Sequence, residues 1–127
     1  MFDYLNGSDL GYPKVPDQLK AQFESNTPWN LTDGEVLTDQ KARARVKDRL
    51  LGNVFTIATH LVENDVVSVT DLELGVCTAL AWPKGPFGMM NALGMEETTR
   101  LVQQSVAVGD YKMPKRFQGG APEAWKL

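Results

Sequence analysis

Val46, Leu50, Val54, Ile57, Ala58, Leu61 and Val62 recur at three- and four-residue steps. That spacing puts them along one side of an α-helix. The pattern runs through residues 39–64, and Thr38 or Asp39 can cap its start, because a short side-chain oxygen accepts from the free amides of a first turn. Lys41, Arg43, Arg45 and Lys47 crowd the first turns, so that end is expected in solvent. Gly52 lies inside the pattern and costs about 1 kcal/mol relative to Ala. A close helix crossing at Gly52 is the expected reason for it. So long an apolar stripe must be covered by other elements.

Those other elements read as helices too. Pro16 at a first turn and Asp17 near the positive end open a short helix running to about Ser25. Leu19 and Phe23, four residues apart, share a side of it. Ser68 starts another helix, with Asp71 three residues on as a short-chain capping box. Its expected buried face is Val69, Leu72, Val76, Ala79 and Leu80. Ala81-Trp82-Pro83-Lys84-Gly85-Pro86-Phe87-Gly88 follows, with two prolines and two glycines in eight residues. It is a rigid loop: Pro83 stops one helix, and Pro86 opens the next, which runs to Leu93 with Gly94 as a left-handed stop. Glu96 and Glu97 sit at the positive end of a last helix reaching about Val108, with Leu101, Val102, Ser105 and Val108 inward. Asp65-Val66-Val67-Ser68-Val69 has strand propensity but no pairing partner. The expected fold is all-α, a compact bundle of four or five helices in residues 38–127. Residues 1–37, rich in turn formers, are expected to be an N-terminal arm.

The arm contains a faint repeat. Tyr12-Pro13-Lys14-Val15-Pro16-Asp17-Gln18-Leu19 resembles Tyr111-Lys112-Met113-Pro114-Lys115-Arg116-Phe117, and Trp29-Asn30-Leu31 parallels Trp125-Lys126-Leu127. A period of roughly 98 residues is long enough for a whole repeated unit, which makes the arm the tail of a preceding copy.

Composition narrows the function classes. The net charge of −3 argues against a nucleic-acid surface. A single cysteine, Cys77, forms no internal disulfide, which fits a reducing, cytoplasmic setting. Cys77 is expected to be a small core residue. The longest uncharged apolar run, Leu74 to Pro83, is far short of the roughly 20 residues a membrane span needs. Met1-Phe2-Asp3-Tyr4 has neither a basic region nor an apolar signal core. Asn6-Gly7-Ser8 and Asn30-Leu31-Thr32 match the glycosylation pattern and are read as chance.

Little in the chain points to catalysis by itself. A dinucleotide site needs a strand, a glycine-rich turn and a helix. Gly7 and Gly11 are too far apart for that turn, and Gly85 and Gly88 flank Pro86-Phe87. No NAD fingerprint or phosphate loop is present. The lone His60, with Glu63 three residues away, is expected to be a surface or packing residue. One His and one Cys give no basis for a metal site. Asp71 and Glu73 point to different sides of their helix and make no catalytic pair. Met89, Met90, Leu93 and Met95 are expected in the core. Trp82 is expected to anchor the loop, its indole N–H on a backbone carbonyl. No catalytic residue is assigned.

Three pieces in order carry a resemblance: Asp48-Arg49-Leu50-Leu51, Asp71-Leu72-Glu73, and Ala81 to Phe87 followed by Met89-Met90-Asn91. They resemble the C-terminal helical domain of the L-3-hydroxyacyl-CoA dehydrogenases, a domain of the 6-phosphogluconate dehydrogenase C-terminal-like type. The family shows Asn-Arg-Leu-Leu, an acidic pair, Gly-Tyr-Pro-Met-Gly-Pro-Phe and Leu-Leu-Asp, with the spacing kept. The resemblance implies a substrate-cleft and interface domain in acyl-CoA oxidation. NAD would be bound by a Rossmann domain of the same or another chain, and none by this one. It also implies an acyl-CoA substrate and a homodimer through helical faces. In larger members the helical unit occurs twice. Trp82, Pro83, Gly85, Pro86 and Phe87 are the structural motif. Asp48 stands where the family has a substrate-side Asn, Asn91 stands where it has Asp, and Ile57 falls where it has an acidic residue. A carboxylate cannot donate the hydrogen bonds of an amide. Asp48 therefore reads as a lost substrate contact. A stand-alone helical interaction module of the same descent is the alternative, and a DNA-binding helical protein is disfavoured by the acidity.

Overall fold

The computed structural model describes residues 15–29, 38–109 and 111–127, and within them only helices and turns occur. The chain divides into two units, Met1–Val36 and Leu37–Leu127. In the first, helix α1 spans Asp17–Ser25 and leaves through Asn26 in the left-handed region at φ 50°. Leu19 and Phe23 on it are both exposed. Asn6 to Ser8, Tyr12 to Lys14 and Asn30 to Thr32 lie outside the described residues.

The second unit is an all-helical bundle: α2 (Gln40–Glu63), α3 (Val69–Ala79), α4 (Pro86–Leu93), α5 (Met95–Val108) and a 3-10 turn at Lys115–Phe117. Asp39 caps α2 by accepting from the Lys41 and Ala42 amides. Ser68 caps α3, accepting from the Asp71 amide at 3.1 Å and donating to its carboxylate at 2.7 Å. Pro86 opens α4, and Gly94 at φ 88° separates it from α5.

The core consists of Phe55, Ala58, Phe87, Met90, Leu101, Val102 and Phe117. It sits where α2 crosses α5 and α4 closes one side. At that crossing a Cβ on Gly52 would lie 2.5 Å from the Leu101 carbonyl oxygen. The glycine lets one helix backbone touch the other, as its place in the pattern implied.

The face that α2 buries differs from the sequence reading. Gly52, Phe55, Thr56, Ala58 and Thr59 are inside, whereas Val46, Leu50 and Ile57 are exposed. The physical reason lies in the hydroxyls. Thr56 donates to the Gly52 carbonyl at 2.7 Å and Thr59 to that of Phe55 at 2.8 Å. Each spends its polar group within its own helix and turns a small, methyl-bearing side chain to the neighbour. On α5, Thr99 does the same to Met95, and Thr98 donates across to the Met90 carbonyl of α4.

Helix α3 is a second correction, because it buries no residue completely. Val69 and Leu72 pack on the core from its edge, Val76 is half-buried, and Ala79 and Leu80 are exposed. Cys77 is likewise half-buried on α3 rather than in the core. On α5, Leu101, Val102 and Ser105 are inside as expected, but Val108 at the last turn is exposed. Met90 is in the core with Met89 and Met95 against it, while Leu93 is exposed. No helix of the described residues is long and apolar enough to cross a membrane.

Candidate functional site

Asp48 projects from the second half of the basic stretch of α2 toward α5, where Arg100 meets it. The Arg100 Nη2 lies 2.8 Å from Asp48 Oδ2 and 2.7 Å from Glu97 Oε1. Its Nε donates to Glu97 Oε2 at 2.8 Å and its Nη1 to Gln104 Oε1 at 3.1 Å. The guanidinium's fork is thus spread over two carboxylates and an amide. The hydrogen bond from Arg100 holds the Glu97 carboxyl below its ordinary range, with Lys47 adding a smaller pull. The same bonds, Glu97 first and then Asp48, hold the guanidinium firmly protonated. The sequence reading surrounded Asp48 with cations of its own helix. The cation that pairs with it is 52 residues away in sequence.

The second feature is the loop. Gly85, Pro86, Phe87 and Gly88 are buried, while Pro83 and Lys84 are exposed. Pro86 brings no amide proton, so the first free donors of α4 belong to Phe87 and Gly88. Glu73 of α3 takes both, one carboxylate oxygen on each at 3.0 Å. A Cβ on either Gly85 or Gly88 would lie 2.5 Å from that carboxylate. Both glycines make room for the acid. A helix N-terminus of the kind that receives phosphates is here filled from within the chain.

Glu63 of α2 repeats the device. It accepts from the Lys115 and Arg116 amides at 3.0 and 2.7 Å, just beyond Pro114. The carboxylate beside His60 is therefore committed to the C-terminal segment and does not orient the imidazole. His60 Nε2 instead lies 2.8 Å from the Lys112 carbonyl oxygen, which makes it a packing contact.

The aromatic anchor of this region is Trp125. Its ring lies 4.6 Å from that of Phe87, centroid to centroid, and the Arg116 guanidinium sits 4.0 Å above it. Its indole donates to Met90 Sδ at 3.1 Å. Trp82 is only half-buried and its indole forms no hydrogen bond to the described residues. Ala81, at φ 52°, turns the chain sharply just before Trp82. The sequence put the tryptophan inside the loop motif in this role, and the fold gives it to one 43 residues further on.

Among the described residues no group of His, Cys, Asp and Glu could hold a metal ion. No strand there leads into a glycine-rich turn. Comparison with family models, curated proteins and solved structures finds no match to this chain.

Proposed function

We propose that the chain is the helical substrate-cleft and interface domain of an NAD-dependent 3-hydroxyacyl-CoA dehydrogenase acting in acyl-CoA oxidation. In that reading its Rossmann partner, in the same or another polypeptide, carries NAD and the hydride chemistry. One observation supports it above the rest. The acidic pair and the Pro-Gly loop, separate pieces of the sequence pattern, meet through Glu73 on the Phe87 and Gly88 amides. The spacing between the pieces therefore has a structural purpose. The homodimer through helical faces and the cytoplasmic setting belong to the same proposal.

A second reading has its own support. Asp48, at the position of the family's substrate-side Asn, is tied to Arg100 and offers no donor to an acyl thioester. This favours an interaction module without a catalytic role. Mixing the purified chain with a separately produced dinucleotide-binding domain of a 3-hydroxyacyl-CoA dehydrogenase distinguishes the two. The chain alone is expected to form no NADH from a 3-hydroxyacyl-CoA, and the mixture is expected to do so. Binding without turnover selects the interaction module. Neither binding nor turnover overturns the dehydrogenase reading.

A further inference from the structure

We infer that the first half of α2 is a docking surface for an acidic amphipathic helix of a different protein, which lies on the exposed Val46 and Leu50 and is held from both flanks by Arg43, Arg45, Lys47 and Arg49. The inference goes beyond the proposed function and does not rest on it, because it uses only the charge and exposure of this stretch.

The stretch is charged against its own stability. Lys41, Arg43, Arg45, Lys47 and Arg49, five of the 13 Lys and Arg residues of an acidic chain, all fall in the first ten residues of α2. They occupy the end of the helix where the macrodipole favours acids. Lys41 and Arg45, Arg43 and Lys47, and Arg45 and Arg49 are like charges four residues apart, which repel across one turn. Among the described residues no carboxylate forms an ion pair with any of the five. Lys47 acts on Glu97 only from beyond that distance, and the Arg49 Nη1 is shielded from solvent with no acceptor. Asp48, the only acid in residues 40–62, is taken by Arg100. The fold itself therefore gains nothing from these cations, and the charge they would balance lies outside the described residues.

The cations frame an apolar row. Val46 is 55% exposed and Leu50 61%, and with Arg43, Lys47 and Leu51 they line an open groove. At 100° per residue, Arg43 and Lys47 lie about 40–80° to one side of the row and Arg45 and Arg49 about 80–120° to the other. Asp48 lies about 180° away from it, on the side that meets Arg100 of α5.

That layout selects the occupant. An apolar row with cations at four-residue steps along both flanks is the complement of a helix carrying an apolar stripe between two acidic edges. A nucleic acid or an anionic lipid surface extends far beyond the patch and meets the net charge of −3 of the whole chain. A short acidic helix meets only the patch, because charges more than about 8 Å off are screened at physiological salt. A second copy of this chain is the wrong occupant, since a two-fold contact on this row brings the same cations face to face.

The test is fluorescence anisotropy of the full chain with a labelled helical peptide of about five turns, with Leu at three- and four-residue steps and Glu on both edges. Two controls accompany it: a scrambled peptide of the same composition, and the same peptide with Lys for Glu. Binding at micromolar concentrations is expected for the acidic peptide alone, weakening as salt is added. Arg43→Glu with Lys47→Glu, and separately Leu50→Ser, should each weaken it by about tenfold or more. The melting temperature of the Arg43→Glu, Lys47→Glu chain should hold or rise, because the substitution relieves like charges at the positive end of α2. Lost binding in a chain that folds as well or better is the mark of a recognition surface. Absence of binding at the highest soluble concentration overturns the inference. So does equal binding of the scrambled peptide, or binding that survives both sets of substitutions. Tighter binding to phosphatidylserine vesicles or to duplex DNA than to the acidic peptide overturns it as well, and assigns the cations to an extended polyanion.

Discussion

Asn91 and Trp125 are joined by a reciprocal pair of hydrogen bonds: the Asn91 amide donates to the Trp125 carbonyl at 2.9 Å and accepts from the Trp125 amide at 2.8 Å. This is the pairing a neighbouring strand would make, performed by one side chain. It fastens the C-terminal segment to α4 and seats the Trp125 ring on Phe87. Asn91 had read as the loss of a family carboxylate. The clamp gives the amide a purpose of its own, because only a group with both a donor and an acceptor can complete it.

Asn91→Asp is expected to break the donor half and set a carboxylate against the Trp125 carbonyl. An unsatisfied or repelled partly buried group costs about 1–3 kcal/mol. The urea midpoint should fall accordingly, and tryptophan fluorescence should report a loosened Trp125. An unaltered midpoint and emission would show that the tail is held by the ring contacts alone.

Phe87 is completely buried, and its amide is one of the two that Glu73 holds. Phe87→Ala is expected to destabilise the domain by about 3–5 kcal/mol, the usual cost of emptying a buried aromatic site. Glu73→Gln leaves one of the two α4 amides facing the Gln NH2, which donates and cannot accept, while the other keeps its acceptor, so a smaller loss is expected. Chemical denaturation of both variants checks the order. A larger loss for Glu73→Gln would place the stability of this corner in the acid instead of the ring.

Gly52→Ala separates propensity from packing. On propensity alone the substitution should stabilise α2 by about 1 kcal/mol. The new methyl, however, would lie 2.5 Å from the Leu101 carbonyl oxygen and 3.1 Å from Ser105 Cβ. Backbone cannot step aside as a side chain can, so the helices must separate. Overpacking of this kind costs about 1–3 kcal/mol, and a net loss in melting temperature is expected. A gain would mean that α2 and α5 have slack at their crossing.

The same crossing explains what could be read from the sequence and what could not. Helix ends were legible because their signals are local: Asp39, Ser68, Pro86 and Gly94 act within a turn of themselves. The all-α fold followed from them. The buried face of α2 was not legible, because Thr56 and Thr59 count as polar until their hydroxyls are seen bonded to Gly52 and Phe55. The apolar stripe that periodicity found meets the core only in part, through Ala58 with Val54 and Val62, while Val46, Leu50 and Ile57 stay exposed. Asp48 was singled out by its place in a motif. Its partner Arg100 could not be, since nothing in a sequence links residues 52 apart. Glu73 was read as part of an acidic pair and Glu63 as a neighbour of His60, and neither was read as an acceptor for backbone amides. A proline followed by two amides needing an acceptor, at Pro86 and again at Pro114, was the signal that could have found them.

Arg100 also sets a pH dependence whose sign can be worked out. Its hydrogen bond lowers the Glu97 carboxyl from an ordinary value of 4.5. A carboxyl with a lowered folded value contributes stability that is fully present above its unfolded value and is lost as pH falls through the folded one. Arg100, raised by the same contact, stays charged throughout and adds no slope of its own. The network should therefore weaken only on the acid side, below pH 4.5, and leave stability near neutrality flat. The pair is solvent-exposed, so the effect is expected to be small and to shrink with added salt. Urea midpoints measured from neutral to acid pH should fall less steeply at the acid end in Glu97→Gln and in Arg100→Gln than in the unaltered chain. Asp48→Asn, which leaves the Arg100–Glu97 contact in place, should keep most of that Glu97-linked slope. If the acid limb of Glu97→Gln is unchanged, the contact on α5 is geometry without energetic consequence.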